Sequence, residues 1–154
     1  MGSELCPSDG NGVVTTIVAN TDAQALAHAD AHTRLLLGDG GAGAGGDAEA
    51  GRVAALESEA QIAEHLLGAD IVFVTAGMGG GTGSGAAAVV ARQARQAGAL
   101  VVALVTVPFG FEGQRREEAA AAAVERLRDE SDVLVQVQND RWPLAPPHLI
   151  ATHR

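Results

Sequence analysis

The chain has 154 residues, 47% of them hydrophobic, which is enough for one globular domain with a substantial core. Its formal net charge of −9 argues against a surface that binds nucleic acid or an anionic membrane. The single cysteine, Cys6, excludes an intramolecular disulfide, and no signal peptide or run of about 18 apolar residues is found, so we expect a cytoplasmic protein without membrane insertion.

Composition divides the chain into three segments. Residues 1–12 are turn formers and are predicted to be disordered, whereas residues 13–141 alternate β-branched apolar runs with helix-forming stretches. Residues 142–154 are predicted to be an irregular tail, because their prolines have no N–H to donate within a helix.

The middle segment predicts alternating strands and helices. Val53, Leu56, Ile62, Leu66 and Leu67 are expected to face the core from a long helix capped by Asp47. Strands separated by helices imply the α/β class, here a three-layer Rossmann-like parallel sheet with helices on both faces. In chain order the predicted elements are strand 13–19, helix 22–29, strand 35–37, helix 47–67, strand 71–75, helix 84–97, strand 100–106, helix 113–129 and strand 133–137.

A glycine-rich segment, residues 77–85 (GMGGGTGSG), joins the predicted strand 71–75 to the helix 84–97. Glycines allow a main chain to approach a ligand closely, and free N–H groups at a helix start attract anions. Strand, glycine loop and helix in this order therefore predict a phosphate site. The alternative is a flexible linker, which is unusual between a buried strand and a well-formed helix.

Other phosphate and nucleophile motifs are excluded. The chain has no lysine, so a P-loop ending in Gly-Lys-Ser/Thr is impossible. A dinucleotide fingerprint is matched only loosely, by Gly81, Gly83 and Ala86, and the acidic residue expected at the end of the next strand is missing. No Gly-x-Ser-x-Gly elbow is formed around Ser84.

Further polar and glycine-rich segments follow the other predicted strands. In a parallel sheet the carboxyl ends of the strands lie at one edge, where ligands bind. We therefore expect these segments to form one site with the glycine loop. They are residues 20–22, 43–47, 109–116 and 139–140.

Taken together, these segments resemble the tubulin/FtsZ family of GTPases. The GMGGGTGSG segment resembles the family's glycine signature. The upstream NTDAQAL (20–26) and GAGGD (43–47) and the downstream PFGFEGQRR (108–116) and NDR (139–141) resemble FtsZ in the same order. The similarity covers about residues 14–141, and it implies a GTP-binding protein of this fold.

The resemblance assigns the phosphates to the glycine signature. Gly81, Thr82 and Gly83 match the family's main phosphate contacts, and Gly79 and Gly80 belong to the same GTP-binding loop. We therefore expect Gly81→Val to abolish nucleotide binding while leaving the helix content nearly unchanged. The alternative is a tight turn without a ligand.

Three downstream residues match contacts to the rest of the nucleotide. The resemblance implies that Glu112 binds the ribose hydroxyls, that Arg116 is a basic contact and that Asn139 lies near the base. The residues themselves also allow a solvated charge cluster along a helix face at 115–118 and a simple turn at Asn139.

Upstream, Asn20, Gly45 and Gly46 complete the implied GTP site, the two glycines in a loop that senses the γ-phosphate. The segment before that loop departs from the family, because it is shorter and lacks a basic Thr-Arg element. Mg²⁺ is expected to bind through the nucleotide phosphates. His28 and His32 have helical spacing, but no third ligand is near them in sequence, so no protein metal site is predicted.

Several parts of the family are not matched. Residues 1–12 contain neither the family's first strand nor its second glycine loop, and its central helix and C-terminal domain are also missing. We therefore expect a partial copy, in which strands 13–19 and 71–75 either pair with each other or keep open edges that favour aggregation. Because the family's acidic catalytic loop belongs to the C-terminal domain, the isolated chain is expected to be inactive, and no catalytic residue is assigned.

The resulting hypothesis is an FtsZ-like cytoskeletal protein of cell division, in a family that couples GTP hydrolysis to filament assembly. Its expected partners are a guanine nucleotide and either a second copy or an intact relative, with no nucleic acid. One alternative is an inactive interaction module that keeps the fold but binds GTP weakly or not at all. Another is a small phosphate-binding α/β domain of different chemistry.

Overall fold

The computed structural model describes residues 14–108 and 113–138, which form an α/β fold of parallel sheets with helices on both sides. This confirms the predicted fold class. The segments predicted as disordered (1–12) and irregular (142–154) lie outside the described residues. In chain order the elements are β1 (Ile17–Asn20), α1 (Ala23–Ala27), β2 (Thr33–Leu36), α2 (Ala48–Glu57), α3 (Glu59–Leu66), β3 (Ile71–Gly77), α4 (Gly81–Gln96), β4 (Leu100–Val107), α5 (Gln114–Glu130) and β5 (Val133–Gln138).

The strands form two parallel sheets. β1 pairs with β2, with Ile17 opposite Thr33. The second sheet has the order β3–β4–β5. Within the described part of the chain, no strand lies between β1 and β3. β1 and β3 do not pair with each other, so of the two expected outcomes the described residues show the one in which the facing edges of these strands have no strand partner.

Helices lie on both sides of the sheets because the strand order runs in opposite directions from the gap between β1 and β3. It runs from β1 to β2 in one direction and from β3 to β4 and β5 in the other. Parallel crossovers are right-handed in nearly all proteins, so opposite directions place α1 on one side and α4 and α5 on the other. The packing agrees with this arrangement. Leu26 of α1 is buried, but it is not part of the apolar cluster that joins Leu37, Val101 and Leu127.

Helix α4 lies at the centre of the larger helical layer, in contact with α2, α3 and α5. Glycines allow α2 and α4 to touch through their backbones. A Cβ atom on Gly85 would lie 2.3 Å from the Ala48 carbonyl oxygen, and one on Gly51 would lie 2.3 Å from the Gly81 carbonyl oxygen. Because only glycine fits at such distances, the start of α2 is fixed against the first turn of α4.

The predicted helix 47–67 is wrong in one respect, because it is two helices. Asp47 caps α2 as predicted, accepting a hydrogen bond from the Glu49 N–H. Ser58 then interrupts the helix, and its hydroxyl accepts a hydrogen bond from the Gly38 N–H (2.9 Å).

The change of direction at Ser58 alters which side chains reach the core. Ile62 and Leu66 are buried as predicted, and Leu56 is half-buried. Val53 and Leu67 were expected to face inward, but both are exposed.

Other boundaries differ because contacts distant in sequence extend or shorten the elements. β1 begins at Ile17 rather than at 13, and β3 continues to Gly77 because Thr106 pairs with it on β4. α4 begins at Gly81 rather than at 84. Among the described helices, none is both long enough and apolar enough to cross a bilayer.

We predict that Gly51→Ala destabilises the fold by about 1–3 kcal/mol, because the added methyl group meets a backbone carbonyl that cannot move aside. The midpoint of urea unfolding measures this loss. Gly40→Ala is the matched control, since a Cβ atom there meets nothing within 4 Å. Equal midpoints for both variants would contradict the close packing of α2 on α4.

Candidate functional site

The glycine loop forms a tight turn between β3 and α4. The Met78 N–H donates to the Thr106 carbonyl (2.8 Å), which continues the contact with β4 past the end of β3. Gly79 has a φ of +92°, and its N–H donates to the buried Ser84 hydroxyl (2.8 Å). These bonds hold the turn in one shape, and a φ in this range favours glycine.

The first turn of α4 has no side-chain cap, because its N-cap residue is Gly80. The first N–H groups of a helix have no partner within the helix, and they lie at the positive end of its dipole. A Cβ atom on Gly80 would meet nothing within 4 Å, so the space beside this turn is open. An uncapped helix start next to open space is suited to bind phosphate oxygens.

The end of β1 reaches the same helix. The Thr21 and Thr82 hydroxyl oxygens are 2.6 Å apart and hydrogen-bonded. The Asn20 side-chain oxygen accepts a hydrogen bond from the Asp22 N–H (3.1 Å), and the Asp22 carboxylate caps α1. This segment therefore lies at the start of α4, although no strand joins β1 to β3 within the described residues.

The loop before α2 also contacts this helix start. The Gly43 N–H donates to the Thr21 carbonyl (3.0 Å), and Ala44 packs against Gly81. Gly45 and Gly46 have φ values of +57° and +81° and open space at their Cβ positions. The loop thus turns beside the first residues of α4 and presents backbone rather than side chains there.

Helix α5 begins on the other side of the glycine turn. A Cβ atom on Gly79 would lie 3.1 Å from both the Arg116 carbonyl oxygen and Pro108 Cγ. Arg116 lies in the first turn of α5, where its N–H donates to the Gly113 carbonyl (3.0 Å). The backbone of Arg116 is therefore adjacent to the glycine turn.

The structure brings together most of the residues predicted for the site. Glu112 and Asn139, the predicted ribose and base contacts, lie outside the described residues. The others meet at the carboxyl ends of β1 and β3, and they are Asn20, Gly45, Gly46, Gly79, Gly80, Gly81, Thr82, Gly83 and Arg116.

Two glycines of the signature have a structural reason that the sequence did not reveal. A Cβ atom on Gly81 would lie 2.7 Å from Ala44 Cβ, and one on Gly83 would lie 2.3 Å from the Gly77 carbonyl oxygen. Valine at position 81 would therefore displace the loop at 44–47, so Gly81→Val tests packing as well as phosphate binding. Gly80 is the position where a side chain enters only the open space.

Sequence reasoning also missed two hydroxyl groups. Ser84 holds the glycine turn through the Gly79 N–H, and Thr21 connects β1 to Thr82. A signal for Ser84 was present, because it is a hydroxyl residue inside the glycine segment. The partner of Thr21 is 61 residues away, so nothing local indicates that contact.

A cleft of about 460 Å³ lies beside this site, along the loop 38–44 and the outer side of α2. Its lining includes the acidic residues Asp39, Asp47 and Glu49 and no residue of α4. Hydrogen bonding to the Arg52 guanidinium holds the pKa of the Glu49 carboxyl below its ordinary value. Because its lining includes several carboxylates, this cleft is less suited to a phosphate group than the start of α4.

His28 and His32 hydrogen-bond to different neighbours. His28 Nδ1 is hydrogen-bonded to the Gln24 carbonyl (2.8 Å), whereas His32 Nδ1 lies 2.6 Å from the Thr16 hydroxyl. Across residues 14–108 and 113–138, no group of three or more His, Cys, Asp or Glu side chains is arranged to hold a metal ion.

Comparison with known sequences finds relatives that are named FtsZ or belong to the tubulin/FtsZ family. A profile of the tubulin/FtsZ family, GTPase domain, matches residues 6–144. The chain is 54% identical over 129 residues to cell division protein FtsZ 2 of Rhizobium meliloti, which covers 82% of this chain and 37% of that protein. It is 51% identical over 128 residues to cell division protein FtsZ of Haloferax mediterranei, which covers 81% and 34%. The chain thus spans about a third of the length of these curated relatives.

Solved structures agree with the sequence relatives. FtsZ of M. jannaschii, an empty dimer, matches with a TM-score of 0.81 and 42% identity, covering 88% of this chain and 41% of that one. CetZ2 of Haloferax volcanii, a protofilament bound to GTPγS, matches with a TM-score of 0.74 and 30% identity, covering 83% and 41%.

We predict that Ser84→Ala destabilises the glycine turn, because the buried Gly79 N–H loses its acceptor, at a cost of about 1–3 kcal/mol. Urea unfolding measures the change in stability. Ser131→Ala is the control, since the Ser131 hydroxyl bonds only the last turn of α5, where water can replace it. A Ser84→Ala loss no larger than that of Ser131→Ala would contradict the role of Ser84.

Proposed function

The chain belongs to the tubulin/FtsZ family, and we propose that the first turn of α4 binds the phosphates of a guanine nucleotide. The observation that carries the proposal is the convergence of three segments on this uncapped helix start. Thr21 bonds Thr82, Ala44 packs on Gly81, and the backbone of Arg116 lies beside Gly79.

The phosphate groups would be held mainly by backbone. The amides from Gly80 to Gly83 would donate to the phosphate oxygens, and the Thr82 hydroxyl would assist. The positive end of α4 would offset part of the phosphate charge, which matters in a chain with a net charge of −9. Gly45 and Gly46 would approach the outermost phosphate, because their backbone is open on that side.

The rest of the nucleotide would be bound by residues matched only through the family. We propose that Glu112 binds the ribose, that Asn139 contacts the base and that Arg116 contacts the nucleotide from α5. Mg²⁺ would bind through the nucleotide phosphates.

We further propose that this chain binds GTP but does not hydrolyse it alone. Phosphoryl transfer to water needs a group that positions the attacking water, in addition to charge stabilisation. The acidic residues nearest the helix start are already engaged, since Asp22 caps α1 and Asp47 caps α2. The acidic group that positions water would come from a second protein that associates with the nucleotide face.

The cellular role would be in the cytoplasmic division apparatus. Two sequence relatives are named cell division proteins, and the M. jannaschii and H. volcanii structures are a dimer and a protofilament. Because this chain spans only part of these proteins, its assembly is proposed as self-association or association with an intact relative.

A second candidate function is an interaction module that binds little or no GTP. The observation that favours it is that no described strand lies between β1 and β3. A strand paired there would rigidify the sheet below the phosphate site, and without it the site is held less firmly. Such a module would act through its exposed strand edges, by adding a strand from a partner.

The first prediction of this proposal concerns the affinity for GTP. Gly80→Val should weaken Mg²⁺–GTP binding at least tenfold, because each charged hydrogen bond lost costs about 1.5–3 kcal/mol. Isothermal titration with GTP and with ATP measures both affinity and base preference. Gly40→Val is the matched control, because it adds the same side chain at another open glycine.

Wild-type affinity in Gly80→Val would contradict the phosphate site. Equal binding of GTP and ATP would support the alternative of a small phosphate-binding α/β domain of different chemistry. No binding of either nucleotide to the wild-type chain, with a cooperative thermal transition, would favour the interaction module.

The second prediction concerns turnover. The chain alone should release no phosphate from Mg²⁺–GTP, because Asp22 and Asp47, the described acidic residues nearest the helix start, are engaged as helix caps. An intact FtsZ whose own glycine loop is disabled should restore release, since only this chain then holds nucleotide. If the chain alone releases phosphate and Gly80→Val abolishes that release, the proposal that hydrolysis needs a second protein is wrong.

A further inference from the structure

One face of the sheet β3–β4–β5 is apolar, and no described helix or strand covers it. Side chains alternate between the two faces of a strand, and residues paired in register lie on the same face. Phe73, Val102 and Val133 form one such row, and Thr75, Leu104 and Val135 form the next. We call this the bare face, and its apolar members are Ile71, Phe73, Leu100, Val102, Leu104, Val133, Val135 and Val137.

The two faces of this sheet differ sharply in burial. On the face toward α4 and α5, Val101, Ala103 and Val105 are buried. On the bare face, Phe73 is 64% exposed and Ile71 is 51% exposed, although both are large and apolar. Parallel sheets are nearly always covered on both faces, and a contiguous apolar surface of this kind marks a contact site.

We propose that residues 141–154 of this same chain cover the bare face. The proposal goes beyond nucleotide binding and does not depend on it. The segment follows β5, whose Val133, Val135 and Val137 form one border of the face. Sixteen residues after Gln138 reach up to about 50 Å, whereas a strand of eight residues measures only about 26 Å.

The composition of the segment suits an apolar surface. It contains the apolar residues Trp142, Leu144, Leu149 and Ile150 in an otherwise acidic, aromatic-poor chain. Its prolines at 143, 146 and 147 have no N–H group. An extended chain lying on a sheet face leaves N–H groups without partners, and each proline removes one of these penalties.

A second copy of the chain could cover the same face, but a tethered segment has the advantage at low concentration. Linkage within one chain supplies an effective concentration in the millimolar range. A dimer through this face would also need to bury about 800 Å² on each partner for a stable interface. The tethered segment is therefore the occupant that we test first.

The test uses the fluorescence of Trp142, which is the only tryptophan in a chain without tyrosine. In the native full-length chain, acrylamide should quench Trp142 several-fold less efficiently than in the urea-denatured chain, with blue-shifted emission. Phe73→Glu should raise quenching toward the denatured value, because covering the bare face would then remove an unpaired carboxylate from water.

Two further variants make the result specific. Leu67→Glu is the control, because Leu67 is apolar and 75% exposed but lies at the end of α3, away from the bare face. It should leave Trp142 protected. Leu149→Glu should reproduce the effect of Phe73→Glu without altering the sheet, so it decides the question if circular dichroism shows that Phe73→Glu unfolds.

Equal quenching in the native and denatured chains would overturn the proposal, and so would protection that survives both Phe73→Glu and Leu149→Glu. Protection that disappears on dilution, together with a dimer-to-monomer transition in sedimentation, would assign the bare face to a second copy instead.

Discussion

Backbone contact between α4 and the segment 44–51 is the constraint on which the rest of the structure depends. The carbonyl of Gly81 lies against Gly51, and the carbonyl of Ala48 lies against Gly85. Contacts this close leave no room for side chains, so they fix the relative position of the two helices within a narrow range. Both the glycine turn before α4 and the loop before α2 take their positions from this contact.

This packing explains how an acidic chain can present a site for anions. The carboxylates of Asp22 and Asp47 are used as helix caps, and Glu49 is paired with Arg52. The start of α4, by contrast, is capped by no side chain and faces glycines. Negative charge is thus kept to the cleft beside α2, while backbone N–H groups remain at the helix start, where their dipoles favour phosphate.

Much of the fold and part of the site were predictable because their signals are local. The apolar run from Ile71, the cap at Asp47 and the glycine segment each define an element by its own sequence. What could not be predicted depends on distant neighbours. Gly80 and Gly81 look alike in the sequence, yet only Gly81 contacts Ala44. The break at Ser58 depends on Gly38, and the contact of Thr21 with Thr82 joins two segments far apart in the chain.

The two faces of the sheet β3–β4–β5 differ in how closely they are packed. The proposed nucleotide site belongs to the packed side, and the proposed contact of the C-terminal segment belongs to the bare face. The side with α4 is closely packed, with Val101 and Leu127 fully enclosed, and it carries the glycine turn. The opposite side exposes Phe73, and β3 has an open edge. A nucleotide bound at the first side would stabilise the folded state, whereas a covering segment would remove apolar surface from water on the second. The two sites share the strand β3. A nucleotide at one site or a covering segment at the other would each favour an ordered β3, so binding at one site would help binding at the other.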